Sequence, residues 1–382
     1  MKEFVMPSIN LFGEESIQQL GSLIEQCKGS RALLITDNNL VKCGIASRIE
    51  AVLDGQDIFW KRYDGVQPNP TKKNVYEAVN MLKEFQCDVI IGLGGGSPND
   101  CSKAVSVLAV NGGKVEDYEG LNRSAKPGIP LITVNTTAGT ASEISRAYLI
   151  TDEEKHEKII CKDIHALPFA SINDPELMVS LPSHVTAATG MDALTHAVES
   201  YVCNNSYGLT RELASSAIRL VFSNLREVIN DPENLGLRRQ MIYAQSLAGM
   251  AFCNSGVGLA HAIAHALGAT YGMPHGLCTA MVLPGVIRIN RKASEALYAD
   301  LGRMLFSERC ADMEEQALAD VFLEEVIRLS EEVGTAKRLS EFGAKEEELE
   351  DIAKKAMRDG NIGRNPVMPS KEQIIELLKE IL

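Results

Sequence analysis

The chain has 382 residues, of which 45% are hydrophobic and 23% charged, and its formal net charge is -13. This length exceeds one ordinary hydrophobic core and predicts two domains. The negative charge argues against a nucleic-acid partner, because such binding depends on Lys and Arg side chains that neutralise phosphates. Nine scattered cysteines without a CxxC pair, and no run as long and apolar as a membrane span, predict a cytoplasmic protein with reduced thiols and no membrane partner.

The first half of the chain alternates apolar runs with segments of helical spacing. The runs are typical of buried strands, and the segments between them place apolar residues three and four positions apart. The main strand candidates are Arg31–Asp37, Ile58–Tyr63, Asp88–Leu93, Pro130–Val134 and Ala170–Asn173. Such alternation predicts βαβ units and a parallel sheet.

A glycine-rich turn follows the third of these runs. Gly94–Gly96 precede Ser97, which we expect to cap a helix, with Pro98 as its first residue and Asp100 completing a capping box. An apolar strand, a glycine turn and a capped helix start together hold a diphosphate on backbone N–H groups. The sequence therefore predicts a nucleotide site, and the alternative is a glycine-rich corner without a ligand.

The ordinary dinucleotide fingerprint fits this turn poorly. Ser97 stands where the GxGxxG pattern counted from Gly92 requires glycine, and the acidic Asp37 precedes the turn instead of following it. Asp37 could still bind a ribose 2′-hydroxyl, and its charge would repel the 2′-phosphate of NADP. We therefore expect a non-standard, Rossmann-like α/β domain.

Two further polar segments are ambiguous from composition. The hydroxyl-rich segment Thr136–Ser142 follows a predicted strand and could line a phosphate or nicotinamide pocket, although such clusters are commonly loops. Lys158 lies in the charged run DEEKHEK, which composition alone assigns to a solvated turn.

From about Leu181 the strand-like runs disappear and long segments with helical spacing take their place. These segments are Thr186–Val202, Arg211–Ile229, Leu237–Phe252, Leu259–Leu267, Ala293–Leu305, Glu314–Val333 and Lys371–Ile381. We therefore predict an α/β nucleotide-binding domain over residues 1–180 and an all-α domain over residues 181–382.

The helical half contains a candidate metal site. Asp192 and His196 lie four residues apart on one predicted helix, and His261 and His265 do so on another, so each pair shares a helical face. His275 follows a turn, and a loop could bring it back over the second helix. Five candidates exceed the four positions of a tetrahedral site, so one of them would have another task. The alternative is a set of satisfied core histidines, with Asp192 merely orienting His196.

Motifs along nearly the whole chain resemble those of the iron-containing (group III) alcohol dehydrogenase family. In chain order they are ITD at Ile35–Asp37, PNPT at Pro68–Thr71, GGGSPND at Gly94–Asp100, TTAGTASE at Thr136–Glu143, GMDALTHAVESY at Gly190–Tyr201 and GLAHAIAHALGATYGMPHG at Gly258–Gly276.

The resemblance implies an NAD-binding first half and a helical half that holds one divalent metal ion. Fe²⁺ is the usual ion in the family, and Zn²⁺ is the alternative. The implied metal ligands are Asp192, His196, His261 and His275. His265 is then the surplus histidine beside nicotinamide and substrate, and it is the nearest candidate for carrying the proton. Phe252 is implied in the wall of the substrate pocket. The implied cofactor-binding residues are Asp37, Asn69, Gly95, Gly96, Ser97, Thr136, Thr137, Thr140 and Lys158.

The implied reaction interconverts a short-chain primary alcohol or diol and its aldehyde with NAD(H), in a homodimer or larger homo-oligomer. The alternatives are a related metal- and NAD-using enzyme of the glycerol dehydrogenase or dehydroquinate synthase type, and a non-catalytic nucleotide-binding protein. Thr279 stands where the family often has Asn, and Arg146 and Ala147 occupy variable positions that border the active site in the family. These positions leave the substrate open.

Overall fold

A computed structural model of the chain describes residues 2–155, 157–307 and 313–382, so that Cys310 lies outside the described residues. The described residues form two compact units, one of Lys2–Leu181 with Glu233–Ile242 and the other of Pro182–Pro232 with Tyr243–Leu382. The predicted division at residues 180 and 181 therefore differs from the structure in the short segment Glu233–Ile242. That segment lies with the α/β unit, where Arg239 forms an ion pair of 2.6 Å with Glu14.

The first unit contains a six-stranded parallel sheet and a separate three-stranded sheet. In chain order the strands are β1 Ile9–Phe12, β2 Arg31–Ile35, β3 Phe59–Tyr63, β4 Val89–Gly94, β5 Gly120–Leu121, β6 Leu131–Asn135, β7 Ala147–Asp152, β8 Glu157–Lys162 and β9 Ala170–Asn173. The larger sheet has the order β1-β9-β6-β4-β2-β3, and every pairing in it is parallel. The smaller sheet has the order β5-β8-β7.

This strand order explains why the ordinary fingerprint fits poorly. Numbered from β2, the order across five neighbouring strands is 2-1-3-4-5, the flavodoxin-like arrangement, instead of the usual dinucleotide-binding order. From β2 the chain passes to β3 on one side of β2 and then to β4 on the other side, so the switch point lies between β2 and β4. In such sheets, ligands bind beyond the carboxyl ends of the strands at this switch point. Asp37 follows β2 and the glycine turn follows β4, so both lie there.

The strands and helices of the first unit form for local reasons. Residues Ala32–Ile35 of β2 and all of β4 are buried, as expected of apolar strands covered on both faces. The helix Lys72–Glu84 begins with a reciprocal capping box, in which the Thr71 side chain accepts from the Asn74 N–H and the Asn74 side chain accepts from the Thr71 N–H. The predicted parallel α/β first half is confirmed.

Helices account for most of the second unit. In chain order the α-helices of the chain are α1 Leu20–Gln26, α2 Asn38–Lys42, α3 Ile45–Asp54, α4 Lys72–Glu84, α5 Gly96–Asn111, α6 Ser183–Val202, α7 Gly208–Asn230, α8 Leu235–Ser255, α9 Leu259–Tyr271, α10 His275–Phe306, α11 Glu315–Glu332, α12 Leu349–Arg358 and α13 Lys371–Glu380. The predicted helical second half is confirmed, and α10 joins two helical stretches across a kink at Ser294.

Helix α9 lies inside the second unit. Every residue from Leu259 to Gly268 is buried, and most of them are Ala, Leu or Ile. A helix that is apolar all round is one that other elements cover on every side. Residues of α10, α12 and α13 share its hydrophobic core. His261 and His265 of α9 are therefore surrounded by protein.

No single helix in the described parts of the chain is long and apolar enough to cross a membrane. The pair α8 and α9, bent by 102° between them, meets the length and composition criteria only when the two are taken together.

Candidate metal centre and nucleotide site

Helix α6 presents Asp192 and His196 one turn apart, as the spacing predicts. Both are almost fully buried, and His196 Nδ1 lies 3.9 Å from Asp192 Oδ2. This separation is too long for a hydrogen bond, and neither atom has a hydrogen-bond partner. The alternative in which Asp192 merely orients His196 through a hydrogen bond is therefore wrong for this structure.

His261 comes to the same place from α9, and His275 from α10. The turn before His275 brings it back to His261, as the sequence suggested, and His275 itself is the first residue of α10. One side-chain atom each from Asp192, His261 and His275 lies within 4.8 Å of the other two. His196 is outside this group of three, and its ring lies 4.3 Å from the His261 ring, measured between centroids.

The unpaired atoms of this cluster fit a bound cation. Asp192 Oδ2, His196 Nδ1 and His261 Nε2 are buried and have no hydrogen-bond partner. A buried polar atom without a partner costs roughly 1–3 kcal/mol, so three of them close together need an explanation. A divalent cation held by Asp192 and His261 would satisfy two of them directly, and a set of imidazoles with one carboxylate suits Fe²⁺ or Zn²⁺.

The protonation states of the cluster also suit a cation. Burial, together with the neighbouring rings of His196 and His275, lowers the pKa of His261 well below its usual value. Burial alone would raise the pKa of Asp192, but the surrounding histidines and a hydrogen bond from Thr279 bring it below its usual value. The imidazole is therefore neutral and the carboxylate ionised, and these are the forms that bind metals.

A carboxylate that the sequence analysis missed contacts His261. Glu199 Oε2 lies 2.6 Å from His261 Nδ1, and Glu199 Oε1 accepts a hydrogen bond of 2.6 Å from the Ala260 N–H. Burial raises the pKa of Glu199 to about 7, against the opposing effect of backbone N–H groups that include those of Gly258 and Ala260. A signal was present, since Glu199 lies three residues after His196 and seven after Asp192, on the same helical face.

His265 occupies a different position beside the cluster. Its Nδ1 lies 2.7 Å from Asp359 Oδ2, and its ring stacks on His275 with centroids 5.4 Å apart. It does not belong to the group formed by Asp192, His261 and His275. Asp359 directly follows α12 and lies 94 residues after His265 in the sequence. No local pattern indicates this pairing.

Phe252 packs against the metal cluster. Its ring stacks on the His196 ring at 4.3 Å with an interplanar angle of 20°. The side chain is partly exposed, so one part covers His196 while another remains accessible.

The three positions at which the sequence departs from the resembled family have different surroundings. Thr279 is completely buried, and its hydroxyl donates to Asp192 Oδ1. Ala147 begins β7, and its carbonyl accepts a hydrogen bond of 2.7 Å from Lys103 Nζ. The Arg146 carbonyl accepts from the Asp163 N–H.

The glycine turn after β4 is a close-packed cradle. A Cβ atom at Gly95 would lie 2.9 Å from Thr137 Oγ1, and one at Gly96 would lie 3.1 Å from Thr140 Cγ2. Thr137 Oγ1 is buried without a hydrogen-bond partner. Close backbone approach and an unpaired hydroxyl at the carboxyl edge of the sheet fit a bound nucleotide phosphate. Thr136, by contrast, is buried beneath this surface, and its N–H donates to the Gly94 carbonyl.

The predicted capping box at this turn is wrong. Helix α5 begins at Gly96 with Gly95 as its N-cap, so Ser97 already lies inside the helix and caps nothing. The Ser97 hydroxyl instead accepts a hydrogen bond of 3.2 Å from the Asn69 N–H. Asp100 accepts hydrogen bonds from the Ser142 hydroxyl and from the Leu149 N–H. The first N–H groups of α5 therefore lack a side-chain cap.

Asn69 links the glycine turn to Lys158. Asn69 has a left-handed backbone with φ of 60°, and its Oδ1 accepts a hydrogen bond of 2.9 Å from Lys158 Nζ. Lys158 Nζ also donates to Thr151 Oγ1 at 2.8 Å. The assignment of Lys158 to a solvated turn is wrong, since the residue lies on β8 with its ammonium enclosed. Burial lowers the pKa of Lys158 to about 8, against the opposing charge of Asp100.

Asp37 has a structural task at the switch point. Its Oδ1 accepts hydrogen bonds from the Asn39 and Leu40 N–H groups and so caps α2. The residue is partly exposed at the carboxyl end of β2. It therefore lies at the edge of the sheet beyond which ligands bind in α/β folds of this kind.

Two family models match consecutive parts of the chain. Residues 7–175 match the model for iron-containing alcohol dehydrogenase, and residues 186–382 match the model for the C-terminal part of the Fe-containing alcohol dehydrogenase family.

Named relatives extend these matches over the whole chain. Alcohol dehydrogenase 4 of Schizosaccharomyces pombe is 40% identical over 379 residues, which are 99% of this chain and 89% of the relative. A crystal structure of 1,3-propanediol oxidoreductase is similar with a TM-score of 0.97 and 38% identity, covering 100% of both chains. The structure of sulfoacetaldehyde reductase from Bifidobacterium kashiwanohense in complex with NAD⁺ has a TM-score of 0.88 and 25% identity, covering 100% of this chain and 98% of that one.

Proposed function

The chain belongs to the iron-containing alcohol dehydrogenase family and is an oxidoreductase, and we propose that it uses NAD(H) and one divalent cation to interconvert a short-chain primary alcohol or diol and its aldehyde. The observation that carries this proposal is the cluster of Asp192, His261 and His275, in which the buried atoms Asp192 Oδ2 and His261 Nε2 have no hydrogen-bond partner.

The cation would be held by Asp192, His196, His261 and His275. Fe²⁺ is the first candidate because of the family, and Zn²⁺ is the second because the donor set suits both. When bound, such an ion acts as a Lewis acid toward an alcohol or carbonyl oxygen. The chain itself supplies a preorganised set of imidazoles around the ionised carboxylate of Asp192, and among them the buried His261 ring is neutral. His196 differs from the other three in being shielded by Phe252.

His265 would accept the proton that alcohol oxidation releases, and donate one in the reverse direction. Its Nδ1 is engaged with Asp359 Oδ2, which leaves Nε2 as the nitrogen for proton exchange. The stacking of His265 on His275 keeps its ring beside the metal cluster without making it a member. His265 therefore has the position of a general acid–base in this reaction.

The nicotinamide cofactor would bind beyond the carboxyl ends of β2, β4 and β6. The backbone at Gly95, Gly96 and Ser97 would receive the diphosphate, and the Thr137 hydroxyl is available to it. Asp37 would bind the adenosine ribose and favour NAD over NADP by charge repulsion. The other residues expected to contact the cofactor are Asn69, Thr136, Thr140 and Lys158. Thr136 is buried, so it would support the glycine turn through its hydrogen bond to the Gly94 carbonyl.

A short alcohol or diol is the proposed substrate class, with Phe252 in the wall of its pocket. The relatives named for alcohols and for 1,3-propanediol support this class. We also propose a homodimer or larger homo-oligomer in the cytoplasm, without nucleic-acid or membrane partners. The described cysteines that are free thiols, Cys27, Cys43, Cys87, Cys101, Cys161, Cys203 and Cys278, accord with a reducing compartment.

The proposal is tested by following NADH oxidation across a panel of short aldehydes, with Fe²⁺ and Zn²⁺ reconstitution in parallel. We expect turnover that depends on the metal and on at least one aldehyde or hydroxyaldehyde. His261→Ala should lose both the metal and the activity. No turnover with any aldehyde would favour a related enzyme of the glycerol dehydrogenase or dehydroquinate synthase type. No bound divalent ion, with an unchanged His261→Ala variant, would overturn the metal-dependent reaction.

A further inference from the structure

Glu199 is the buried carboxylate closest to the metal cluster that is not itself a candidate ligand. It lies near the end of α6 and is 2% exposed. Each of its oxygens has a separate partner on α9, one being the Ala260 N–H and the other His261 Nδ1. A charged group is costly to bury unless its hydrogen bonds are made, so these two contacts account for its place in the core.

The contact with His261 selects one form of the imidazole. When Glu199 is ionised it can only accept a hydrogen bond, so the nitrogen of His261 that faces it then carries the proton. In a neutral ring the other nitrogen, Nε2, then has a free lone pair. His261 Nε2 is the buried atom without a hydrogen-bond partner, and it lies 3.9 Å from Asp192 Oδ1. The lone pair is thus directed at the metal cluster.

The contact with Ala260 controls where α9 begins. The N-cap residue Gly258 provides no side-chain hydrogen bond, so the first N–H groups of the helix depend on distant residues. Glu199 accepts from Ala260, and Asn365 Oδ1 accepts from Leu259 at 3.2 Å. Glu199 therefore holds both the histidine ring and the helix start that carries it.

We propose that Glu199 is a positioning residue of the metal centre, which fixes the tautomer and the direction of the His261 ring by accepting its Nδ1–H while its other oxygen anchors α9. Carboxylates that hold a metal-bound histidine in this way raise its affinity for metal by about 10–100-fold. The inference rests on the proposed function only in requiring that the cluster binds a divalent cation.

Glu199→Gln is the decisive variant. A glutamine side chain offers one acceptor and one donor group, and the Ala260 N–H requires the acceptor. The amide N–H then faces His261 Nδ1, which must accept, so the proton moves to Nε2 and the lone pair no longer points at the cluster. We expect the dissociation constant for Co²⁺, measured by titration of metal-free protein, to rise by about 10–100-fold. Nitrogen-15 spectra of histidine-labelled protein should show the proton on Nε2 of His261 instead of Nδ1.

Asn365→Ala is the matched control. It removes the other long-range cap of α9, at Leu259, and touches no metal-cluster residue. We expect wild-type Co²⁺ affinity and the wild-type tautomer in this variant, even if its melting temperature falls. Equal loss of affinity in both variants would overturn the proposal, because loosening of α9 would then explain the result. Wild-type affinity or an unchanged tautomer in Glu199→Gln would overturn it as well.

Glu199→Asp keeps the test decisive if the glutamine variant fails to fold. Aspartate retains two acceptor oxygens on a shorter side chain, so we expect the Nδ1–H tautomer to remain and the Co²⁺ affinity to fall below that of Asn365→Ala. Affinity equal to that of Asn365→Ala would contradict a positioning role. Failure of the wild-type protein to bind one Co²⁺ per chain is a different result, which would refute the proposed metal centre itself.

Discussion

Thr279 Oγ1 donates a hydrogen bond of 2.9 Å to Asp192 Oδ1 inside the fully buried part of the metal cluster. The same hydroxyl also lies 3.1 Å from the Gly276 carbonyl. Thr279 therefore holds the carboxylate of Asp192, a candidate metal ligand, in place by a hydrogen bond. The expectation from the sequence that this position bears on substrate choice stays untested, but the contact points to metal binding.

Thr279→Val should weaken metal binding. Valine has nearly the shape of threonine but no hydroxyl, so Asp192 Oδ1 would lose its donor. A hydrogen bond to a charged group contributes roughly 1.5–3 kcal/mol, which corresponds to about 10–100-fold in the dissociation constant for Co²⁺. Thr279→Ser retains the hydroxyl and should bind Co²⁺ as the wild type does. Equal affinities of the valine and serine variants would contradict this role.

Binding of NAD⁺ should weaken as the pH rises through about 8, the pKa to which burial lowers Lys158. The group is charged below that pH and neutral above it, and only the ammonium attracts an anionic cofactor. The affinity for NAD⁺ is therefore highest below pH 8 and declines above it. Calorimetric titrations at pH 7, 8 and 9 measure the trend. Lys158→Met should bind NAD⁺ more weakly at pH 7 and show no such decline, and a parallel decline in the variant would refute the assignment.

Asp37→Asn should relax the preference for NADH over NADPH. The amide removes the negative charge that would repel a 2′-phosphate, yet its oxygen can still cap α2 at Asn39 and Leu40. We expect the ratio of kcat/KM for the two cofactors to fall several-fold, without loss of thermal stability. Asp37→Ala serves as the control, because it also removes the cap and should cost about 0.5–2 kcal/mol of stability. An unchanged cofactor ratio in Asp37→Asn would exclude a ribose contact.

His265→Ala should reduce kcat by about 10²–10⁴-fold, the usual contribution of general acid–base catalysis, and leave one metal per chain. Its ring is outside the group formed by Asp192, His261 and His275, so metal content measured by mass spectrometry should not change. Asp359→Asn should give a smaller decrease in kcat, because the amide can still contact Nδ1. Loss of metal from His265→Ala would make His265 a ligand and contradict its role as the proton carrier.

Helical periodicity was sufficient to place Asp192 with His196, and His261 with His265, on one helical face each, because residues four positions apart on a helix are neighbours. The meeting of the two helices was implied only by the family resemblance. The same periodicity contains Glu199, but a glutamate at the end of a predicted helix is ordinarily solvated, so its burial could not be inferred. The turn at Gly272–Pro274 was visible in the sequence, but the start of α10 at His275 was not, because no side chain caps this helix.

Other parts of the site depend on contacts that no local pattern describes. The pairing of His265 with Asp359 spans 94 residues, and the contact of Lys158 with Asn69 spans 89. Composition placed Lys158 in solvent because its neighbours in sequence are charged. The strand β8 instead turns its side chain toward Asn69 and Thr151. The capping box predicted at Ser97 failed because the helix already begins at Gly96, one residue before it.

The long-range capping of α9 bears on the order in which the molecule folds. The Ala260 N–H donates to Glu199, 61 residues earlier, and the Leu259 N–H donates to Asn365, 106 residues later. Contacts of such sequence separation form late, because the intervening chain must first be closed into loops. A nascent chain that ends before Asn365 would carry His261 on a helix with an unfinished first turn. Competence to bind metal should therefore be among the last properties that the folding protein acquires.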